Sequence, residues 1–444
     1  MRNLLKNLLI LGLISLLPVA VWGQAISGDI VGTVRDSSGA VVADATVDAT
    51  QISTNLKSTT KTNSTGEFHF VNLPAGRYTI LVTTAGLKGG SEVEVKLNQT
   101  ATANITASVA GSATTVEVSG AVATIDTTTP QIQSTFESKQ AQDIPWASNN
   151  SGSGVLNLSL LDAGVASGGG IGAGTGPSVS GQRPRNNNFT IEGVDNNDKS
   201  TTGPLVQVPN DAVDQFTVLQ NQFAPEFGHS SGGQFNQTIK SGSNQFHGRL
   251  YEYFENKDLN AIDTRNAIAQ RANDLTPFNP RYDNNRWGGQ VGGPIIKNRL
   301  FFFDNAQYNS LGQAGTTGTA IAPTASGYAM LSSLYPGSNN LAVMQKYVPA
   351  ASSQSGFICA VPLPDGVNCP AGQLTVPAGN LSFSGPSYFN TFTNTASIDF
   401  NISSADQLRF RYVYEKQNGI DTAAQIPAFW QTIPYRYHTV ALSE

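Results

Sequence analysis

The sequence predicts a mainly β chain exported to a membrane: a small N-terminal β-sandwich, a loop-rich middle domain, and antiparallel strands of a transmembrane β-barrel. Three observations predict it. The first residues have the make-up of an export signal. Short alternating strands broken by turn residues fill the next stretch. In the second half, strands of two-residue periodicity are joined by connections that are alternately short and long. Composition agrees, with charged residues at 13% and 44 glycines in 444 residues, a balance that suits β structure with many turns rather than helical bundles.

Arg2 and Lys6 supply a basic start, residues 8–17 are apolar, Pro18 breaks the run, and Val21, Trp22 and Gly23 precede Gln24, the expected new N-terminus. A spanning helix needs about 20 apolar residues, so this run reads as a cleaved signal peptide over 1–23. No later segment is apolar enough to span as a helix. Membrane residence must therefore come from a closed sheet, where every backbone group finds a partner.

The net charge of −5 gives no electrostatic footprint for nucleic acid. Two cysteines exclude a cysteine-rich zinc or disulfide scaffold. His69, His229, His247 and His438 lie far apart in sequence and show no ligand spacing, so no metal site is indicated.

The first stretch, about 26–110, alternates at 30–36, 45–50, 57–62, 67–70 and 77–82, with turn signals at 37–39, 63–66 and 73–76. That pattern argues a small sandwich. The second, about 114–242, is loop-heavy. Strand candidates lie at 188–191, 215–219 and 233–239, and a short helix could start near Asn210 and Asp211 and end by 213–216. A domain this loopy is poor at burying its own core and makes sense if something encloses it.

The third stretch, about 245–444, supplies the enclosure. Phe392, Ala396, Ile398, Phe400 and Ile402 fall on one strand face, and Thr391, Thr393, Thr395, Ser397, Asp399 and Asn401 on the other. Leu408, Phe410, Tyr412 and Tyr414 likewise oppose Arg409, Arg411 and Glu415. Strands are read near 246–256, 281–296, 299–310, 390–402, 406–417 and 435–444. Tight turns fall at 297–298 and 403–405, and long loops at 257–280, 311–389 and 418–434. Apolar-out, polar-in strands with alternating connections are the pattern of outer-membrane barrels.

The order G-x-V-x-D, G-x-x-x-x-x-A-x-V and T-x-x-x-G-x-F-x-F-x-x-L-P-x-G-x-Y, carried by residues 32–78, resembles the carboxypeptidase regulatory-like domain. That resemblance implies a transthyretin-like sandwich, grouped with carbohydrate-binding-like folds and without peptidase activity. Residues 183–195 (RPRNNNFTIEGVD), 209–216 (PNDAVDQF), 227–233, 240–248 (KSGSNQFHG) and 292–303 resemble a TonB-dependent receptor of the Oar-like subgroup. Glu192 stands where that family usually has Asp, and Ile239 where Thr is common.

The resemblance implies a mixed α/β plug inside a large barrel, energised from the inner membrane by the TonB complex. It divides the chain into a signal peptide at 1–23, the sandwich at 24–112, a linker carrying the TonB contact at 113–127, the plug at 128–244 and the N-terminal part of the barrel at 245–444. The plug motif is carried by Arg183, Asn187, Glu192, Gly193, Asp195, Lys240 and Gly242. Thr115, Val116, Glu117, Val118 and Ser119 resemble the TonB-binding box, a segment to which a partner strand is added. The alternative is an ordinary last strand of the sandwich.

Other motifs read blandly. Gly228, Ser230 and Gly232 match G-x-S-x-G, but a strand rather than a helix should follow. Asp195 and Asp198 with Asn196 and Asn197 offer oxygens but lack the glycine and final glutamate of a calcium loop. Cys359 and Cys369 lie in the long loop 311–389 with Pro364, Asp365 and Gly366 between them, and a disulfide is expected there.

The expected function is TonB-dependent active transport of a ligand across the outer membrane. The alternative is a non-transporting surface, adhesion or carbohydrate-binding protein. No enzyme activity and no cofactor are expected. The expected partners are the TonB complex, outer-membrane lipid and a ligand whose class, siderophore, glycan or peptide, no motif specifies. Single-chain bacterial barrels need at least about 8 strands and TonB-type transporters about 22. The chain is thus expected to be one part of a longer barrel.

Overall fold

The computed structural model describes residues 27–109, 131–144, 154–166, 177–199, 203–221, 223, 227, 228, 230–262, 264–272, 274, 276–359, 374–403, 406–422 and 426–443. No helix among them is long and apolar enough to cross a membrane.

The N-terminal unit comprises β1 (Ser27–Asp36), β2 (Thr46–Gln51), β3 (Lys57–Lys61), β4 (Glu67–Pro74), β5 (Gly76–Thr84), β6 (Leu87–Val95), β7 (Thr100–Thr102) and β8 (Ile105–Val109). Their order is β3-β2-β5-β6-β8-β1-β4, with β7 on β1. The first half of β1 pairs β4 and β7, and its end pairs β8, so the sheet doubles over. Alternate residues point inward. Ile30 and Val34 of β1, Val47 and Ala49 of β2, Phe68 and Phe70 of β4, and Tyr78, Ile80 and Val82 of β5 make one core.

The middle unit, which stands where the plug was expected and is called the plug below, contains β9 (Ile132–Glu137), α1 (Ser138–Asp143), a 3-10 helix at Gly154–Leu161, β10 (Val165–Ala166), β11 (Ser178–Val179), β12 (Asn188–Ile191), β13 (Val194–Asp195), β14 (Val213–Asn221) and β15 (Gln234–Ile239). The main sheet runs β13-β12-β15-β14-β9. One face carries a row of stacked rings: Phe189 on Phe235 at 5.2 Å, Phe235 on Phe216 at 6.2 Å, and Phe216 on Phe136 at 6.0 Å. The other face is polar yet buried. Asn188 donates to Gln234 at 2.7 Å, Thr190 to Asn236 at 3.1 Å, and the Thr135 and Thr217 hydroxyls meet at 3.2 Å. Burial is tolerable because most of these groups find partners, although Asn236 Nδ2 and Gln237 Oε1 have none.

The short helix expected to end at 213–216 is a single 3-10 turn, Asn210–Ala212, and Val213 is already the first residue of β14. Pairing with β9 and β15 on both sides holds this segment extended and overrides its helix-start signal.

The last sheet contains β16 (His247–Asn256), β17 (Tyr282–Ile296), β18 (Leu300–Pro323), β19 (Gly356–Cys359), β20 (Thr375–Asn401), β21 (Gln407–Asp421) and β22 (Gln431–Ser443). The order is β16-β17-β18-β20-β21-β22, all antiparallel, with β19 on β20. Thr393, Thr395, Ser397, Asp399 and Asn401 face inward and are buried, while Phe392, Ile398 and Ile402 are exposed on the outer face. Plug side chains contact β16, β20 and β21, so the sheet curves around the plug as a barrel wall does.

The stretch 311–389 differs from the loop expected there. β18 and β20 stay paired from Leu300↔Phe400 to Pro323↔Ala378, a hairpin far longer than a membrane crossing. The connection carries α3 (Ala325–Leu334), α4 (Asn339–Tyr347) and β19, with α2 (Thr264–Ala272) in the β16–β17 connection. Beyond the membrane both faces of a hairpin meet water, and the apolar alternation that betrays a strand fades. Cys359 is disulfide-bonded, and Cys369, the other cysteine of the chain, lies outside the described residues.

Candidate functional site at the plug and barrel wall

The site begins with a hairpin turn. Ile191 pairs with Val194, leaving Glu192 and Gly193 as a two-residue loop with φ of 51° and 74°. Such turns favour Asn-Gly or Asp-Gly, because both positions are left-handed. A glutamate there costs of order 1–2 kcal/mol. The strain is offset by what its carboxylate does.

Glu192 Oε1 accepts from Arg411 Nε at 3.0 Å and from the Ile239 amide at 3.0 Å. Its Oε2 lies 3.3 Å from Arg409 Nη1. Asp399 of β20 closes the group, 2.9 Å from Arg411 Nη1 and 3.4 Å from Arg409 Nε. The Ser241 hydroxyl of the plug donates to Asp399, and the Ser397 hydroxyl of the wall donates to the Lys240 carbonyl at 2.8 Å. Two carboxylates and two guanidiniums thus form a neutral cluster across the plug–wall boundary. The Glu192, Asp399 and Arg411 side chains are only 1–2% exposed.

Magnitudes decide what such a cluster is for. Removing one partner from a buried ion pair typically costs about 3–5 kcal/mol, whereas replacing the whole set by well-packed apolar groups is often neutral or better. The cluster therefore adds little net stability over an apolar joint. It differs from one in being readily hydrated once water reaches it.

A second contact ties the plug to β16. Asp211 lies 3.3 Å from Arg249 Nη1 and accepts from the Tyr253 hydroxyl at 3.2 Å. Burial pushes the Asp211 carboxyl above the usual range, against the Tyr253 hydrogen bond and the Arg249 charge. Burial pushes Asp214 up to about 6, with Lys240 pulling it down and Glu192 pushing it further up. Burial likewise lowers the Lys240 ammonium, opposed by Asp211 and Asp214. Close by, a Cβ on Gly242 would sit 2.4 Å from the Phe302 carbonyl oxygen and 2.7 Å from that of Gly293. Only glycine lets the plug's last segment lie flat on the backbones of β17 and β18.

A third contact is a polar cavity. A cavity of about 60 Å³ separates plug residues such as Gln207 and Asn210 from Asn284, Arg286, Asn309 and Glu415 of the wall. The Gln207 amide donates to Glu415 Oε2 at 2.6 Å. Asn284 Oδ1, Asn309 Oδ1 and Arg286 Nε have no protein partner, so water is their natural complement.

The sandwich docks on the same assembly. The Asn244 amide donates to the Ser53 carbonyl at 3.0 Å, and the side-chain amides of Asn55 and Asn244 both donate to Asn298 Oδ1 in the β17–β18 turn, at 3.1 and 2.7 Å. Leu97 N donates to Gln215 Oε1 at 3.3 Å, and Lys96 lies 3.3 Å from Glu137.

Of the residues singled out from sequence, Glu192, Gly193, Lys240 and Gly242 come together at the wall. Asn187 instead joins two plug loops, donating to the Pro177 carbonyl and accepting from the Gly233 amide. Arg183 is exposed at the entry to the 3-10 turn Pro184–Asn186. Asp195 is exposed and accepts from Asn197, while the Asn196 side chain is spent on Val206, so these oxygens brace a loop. The Ser230 hydroxyl donates to the Asn186 carbonyl, and β15 follows it rather than a helix. Thr115, Val116, Glu117, Val118 and Ser119 lie outside the described residues. Asp399, Arg409, Arg411 and Glu415 belong to these contacts and were given no role by sequence reasoning. Their signal was charge on the inward face of two adjacent strands.

Two stretches of the chain match known families. The carboxypeptidase regulatory-like domain matches residues 29–108, and the outer membrane beta barrel domain matches residues 238–444. The chain is 28% identical over 280 residues to the TonB-dependent transporter Oar of Myxococcus xanthus, covering 62% of this chain and 26% of that protein. It therefore spans about a quarter of the relative's length. Among solved structures, the outer membrane transporter YddB of Escherichia coli matches with a TM-score of 0.44 at 14% identity, over 70% of this chain and 36% of that one. A ferric enterobactin receptor, PfeA, of Pseudomonas aeruginosa matches with a TM-score of 0.37 at 13% identity, over 65% and 33%. The chain is a homologue of the TonB-dependent transporter Oar, carries an outer-membrane β-barrel domain behind a carboxypeptidase regulatory-like domain, and is located in the outer membrane.

Proposed function

We propose that the chain forms the energised, plug-bearing part of a TonB-dependent transporter that imports a ligand across the outer membrane. The observation that carries this reading is the charged cluster of Glu192, Asp399, Arg409 and Arg411. It holds the plug in the barrel by contacts that water can replace, as a part that must move requires.

In this reading residues 113–127 are the linker to which TonB binds, 128–244 the plug and 245 onward the wall. TonB adds a strand to Thr115, Val116, Glu117, Val118 and Ser119, and tension passes into β9, the edge strand of the plug sheet. Ligand meets the long connections opposite the sandwich. Cys359 and Cys369 pair there, where thiols oxidise.

The test is crosslinking in cells from Val116→Cys and Val118→Cys to TonB. An adduct at either position is expected, together with loss of adduct when the other is changed to Pro, which removes a backbone donor. Full outer-membrane abundance with no adduct at either position would refute the assignment of the box. Growth of a deletion strain across limiting iron and carbon sources then narrows the ligand. A strain that grows like its parent on all of them would favour the non-transporting, surface reading.

A further inference from the structure

The turn between β6 and β7 is where the sandwich enters the plug. Leu97 in this turn is fully buried, yet it is a member of neither apolar core. Its amide donates to Gln215 Oε1 of β14 at 3.3 Å, a buried bond. The Asn98 carbonyl accepts from Gln133 Nε2 of β9 at 3.4 Å. Lys96 Nζ lies 3.3 Å from Glu137 Oε1 at the end of β9 and 3.8 Å from Glu94 Oε2 of β6. Three consecutive residues of the sandwich thus hold side chains from two strands of the plug.

The sandwich backs this turn firmly. The Asn98 amide donates to the Ser27 carbonyl at 2.9 Å, and the Asp29 amide donates to the Gln99 carbonyl at 3.0 Å. A Cβ on Gly28 would sit 2.3 Å from the Lys96 carbonyl oxygen and 2.8 Å from that of Gln99, so only glycine lets β1 run this close beneath the turn. The turn therefore moves with the sandwich and not by itself.

The two strands it holds differ in how they can be removed. β9 is the edge strand of the plug sheet, and β14 lies between β9 and β15. An edge strand can be peeled one rung at a time, whereas an inner strand leaves only by breaking two ladders together. Peeling would run along the β9–β14 ladder, where Glu137 faces Gln215 and Gln133 faces Leu219. The turn binds Gln133 and Glu137 on one side of that ladder and Gln215 on the other, so it crosses the seam. We propose, resting on the reading that tension enters through the linker before β9, that this turn is a clasp: it holds β9 against β14 under load, and the sandwich must withdraw before the plug yields.

The full chain, purified from outer membranes, is held by its barrel and pulled at constant force through a handle on Val118→Cys, with no TonB present. The time before the plug first extends is read. Two variants open the clasp from opposite sides: Lys96→Ser with Leu97→Gly on the sandwich, and Gln133→Met with Gln215→Met on the plug. Each is expected to shorten the wait about fivefold, the share of roughly one buried hydrogen bond. Hydrogen exchange of the β9 amides should quicken by a similar factor. Amides of β2 and β5 should exchange as in the wild type, which shows that the sandwich is folded, and Lys61→Gln, far from the turn, should change nothing. An unchanged wait in both variants would overturn the clasp. So would faster exchange spread equally over β14 and β15, which would make these residues merely structural. Because TonB is absent, either result stands apart from the crosslink that tests the linker's partner.

Discussion

The sandwich and the plug are both small β units packed around phenylalanines, yet they are held in opposite ways. The sandwich core draws every buried side chain from within residues 30–107, as Ile30, Val47, Phe68 and Ile80 show. The plug core borrows. Phe303 and Val413 of the barrel are members of it, and Tyr437 packs against it. Where the plug meets the wall outside that core, its joints are ion pairs, amides and a polar cavity. A unit that supplies its own apolar core can exist alone. One that takes part of its core from its container, and fastens the rest with hydratable contacts, is built to be held and released.

The strongest way to test this contrast is to unbalance the cluster. Arg411→Met should leave Glu192 and Asp399 buried with half their countercharge and destabilise plug docking by about 3–5 kcal/mol. Limited proteolysis of the plug in detergent reads this, and an unchanged cleavage rate would count against a latch. Replacing Glu192, Asp399, Arg409 and Arg411 together by apolar residues should restore protection while preventing release.

Next is the sandwich. Residues 27–109 should fold alone, and Ile80→Ala should cost that isolated unit about 2–5 kcal/mol in urea denaturation. A fragment with no cooperative transition would show that it too depends on its neighbours. In the whole chain the same change should leave plug protection untouched.

Gly242→Ala should cost about 1–3 kcal/mol, because its Cβ meets wall backbone rather than a movable side chain. Wild-type resistance to heat in detergent would indicate that the plug tail can shift away from Phe302.

The pH dependence has a definite sign. Burial raises Asp214 from 3.8 to about 6 in the folded chain. The folded state then binds more protons between those values, so the stabilisation is complete below the unfolded value and is lost as pH rises through about 6. Plug protection should therefore be greater at pH 5 than at pH 7. Asp214→Asn should flatten that difference, and an unaltered slope would assign it elsewhere.

The smallest effect belongs to the rim. Asn298→Ala removes the acceptor shared by Asn55 and Asn244 and should cost roughly 1–2 kcal/mol. It should free the sandwich to proteases without loosening the plug. Simultaneous loss of both would mean that the two units are not independent.

The strands read from sequence were legible because each carries its own signal, whereas β6 to β11, β13 and β19 were not read. Thr393, Thr395 and Ser397 alternate with Phe392, Ala396 and Ile398 whatever lies elsewhere, and Asn188–Ile191 stands out as a short β-prone run between turns. The cluster was only half legible. Glu192 could be marked by its place in the plug motif, and Arg409 and Arg411 by facing inward, but more than two hundred residues separate them. No local pattern says which inward charge meets which. The 3-10 turn at Asn210–Ala212 and the long β18–β20 hairpin were misread because neighbouring strands, not local composition, decide them.

That hairpin has a consequence for how the cell surface is reached. β18 has 24 residues and β20 has 27, and crossing the apolar band takes only about 9–11. More than half of each strand is left over, about 40 Å of paired backbone at roughly 3.3 Å per residue. The hairpin is a mast. It lifts α3, α4 and the Cys359 segment clear of the lipid surface, well away from the plug.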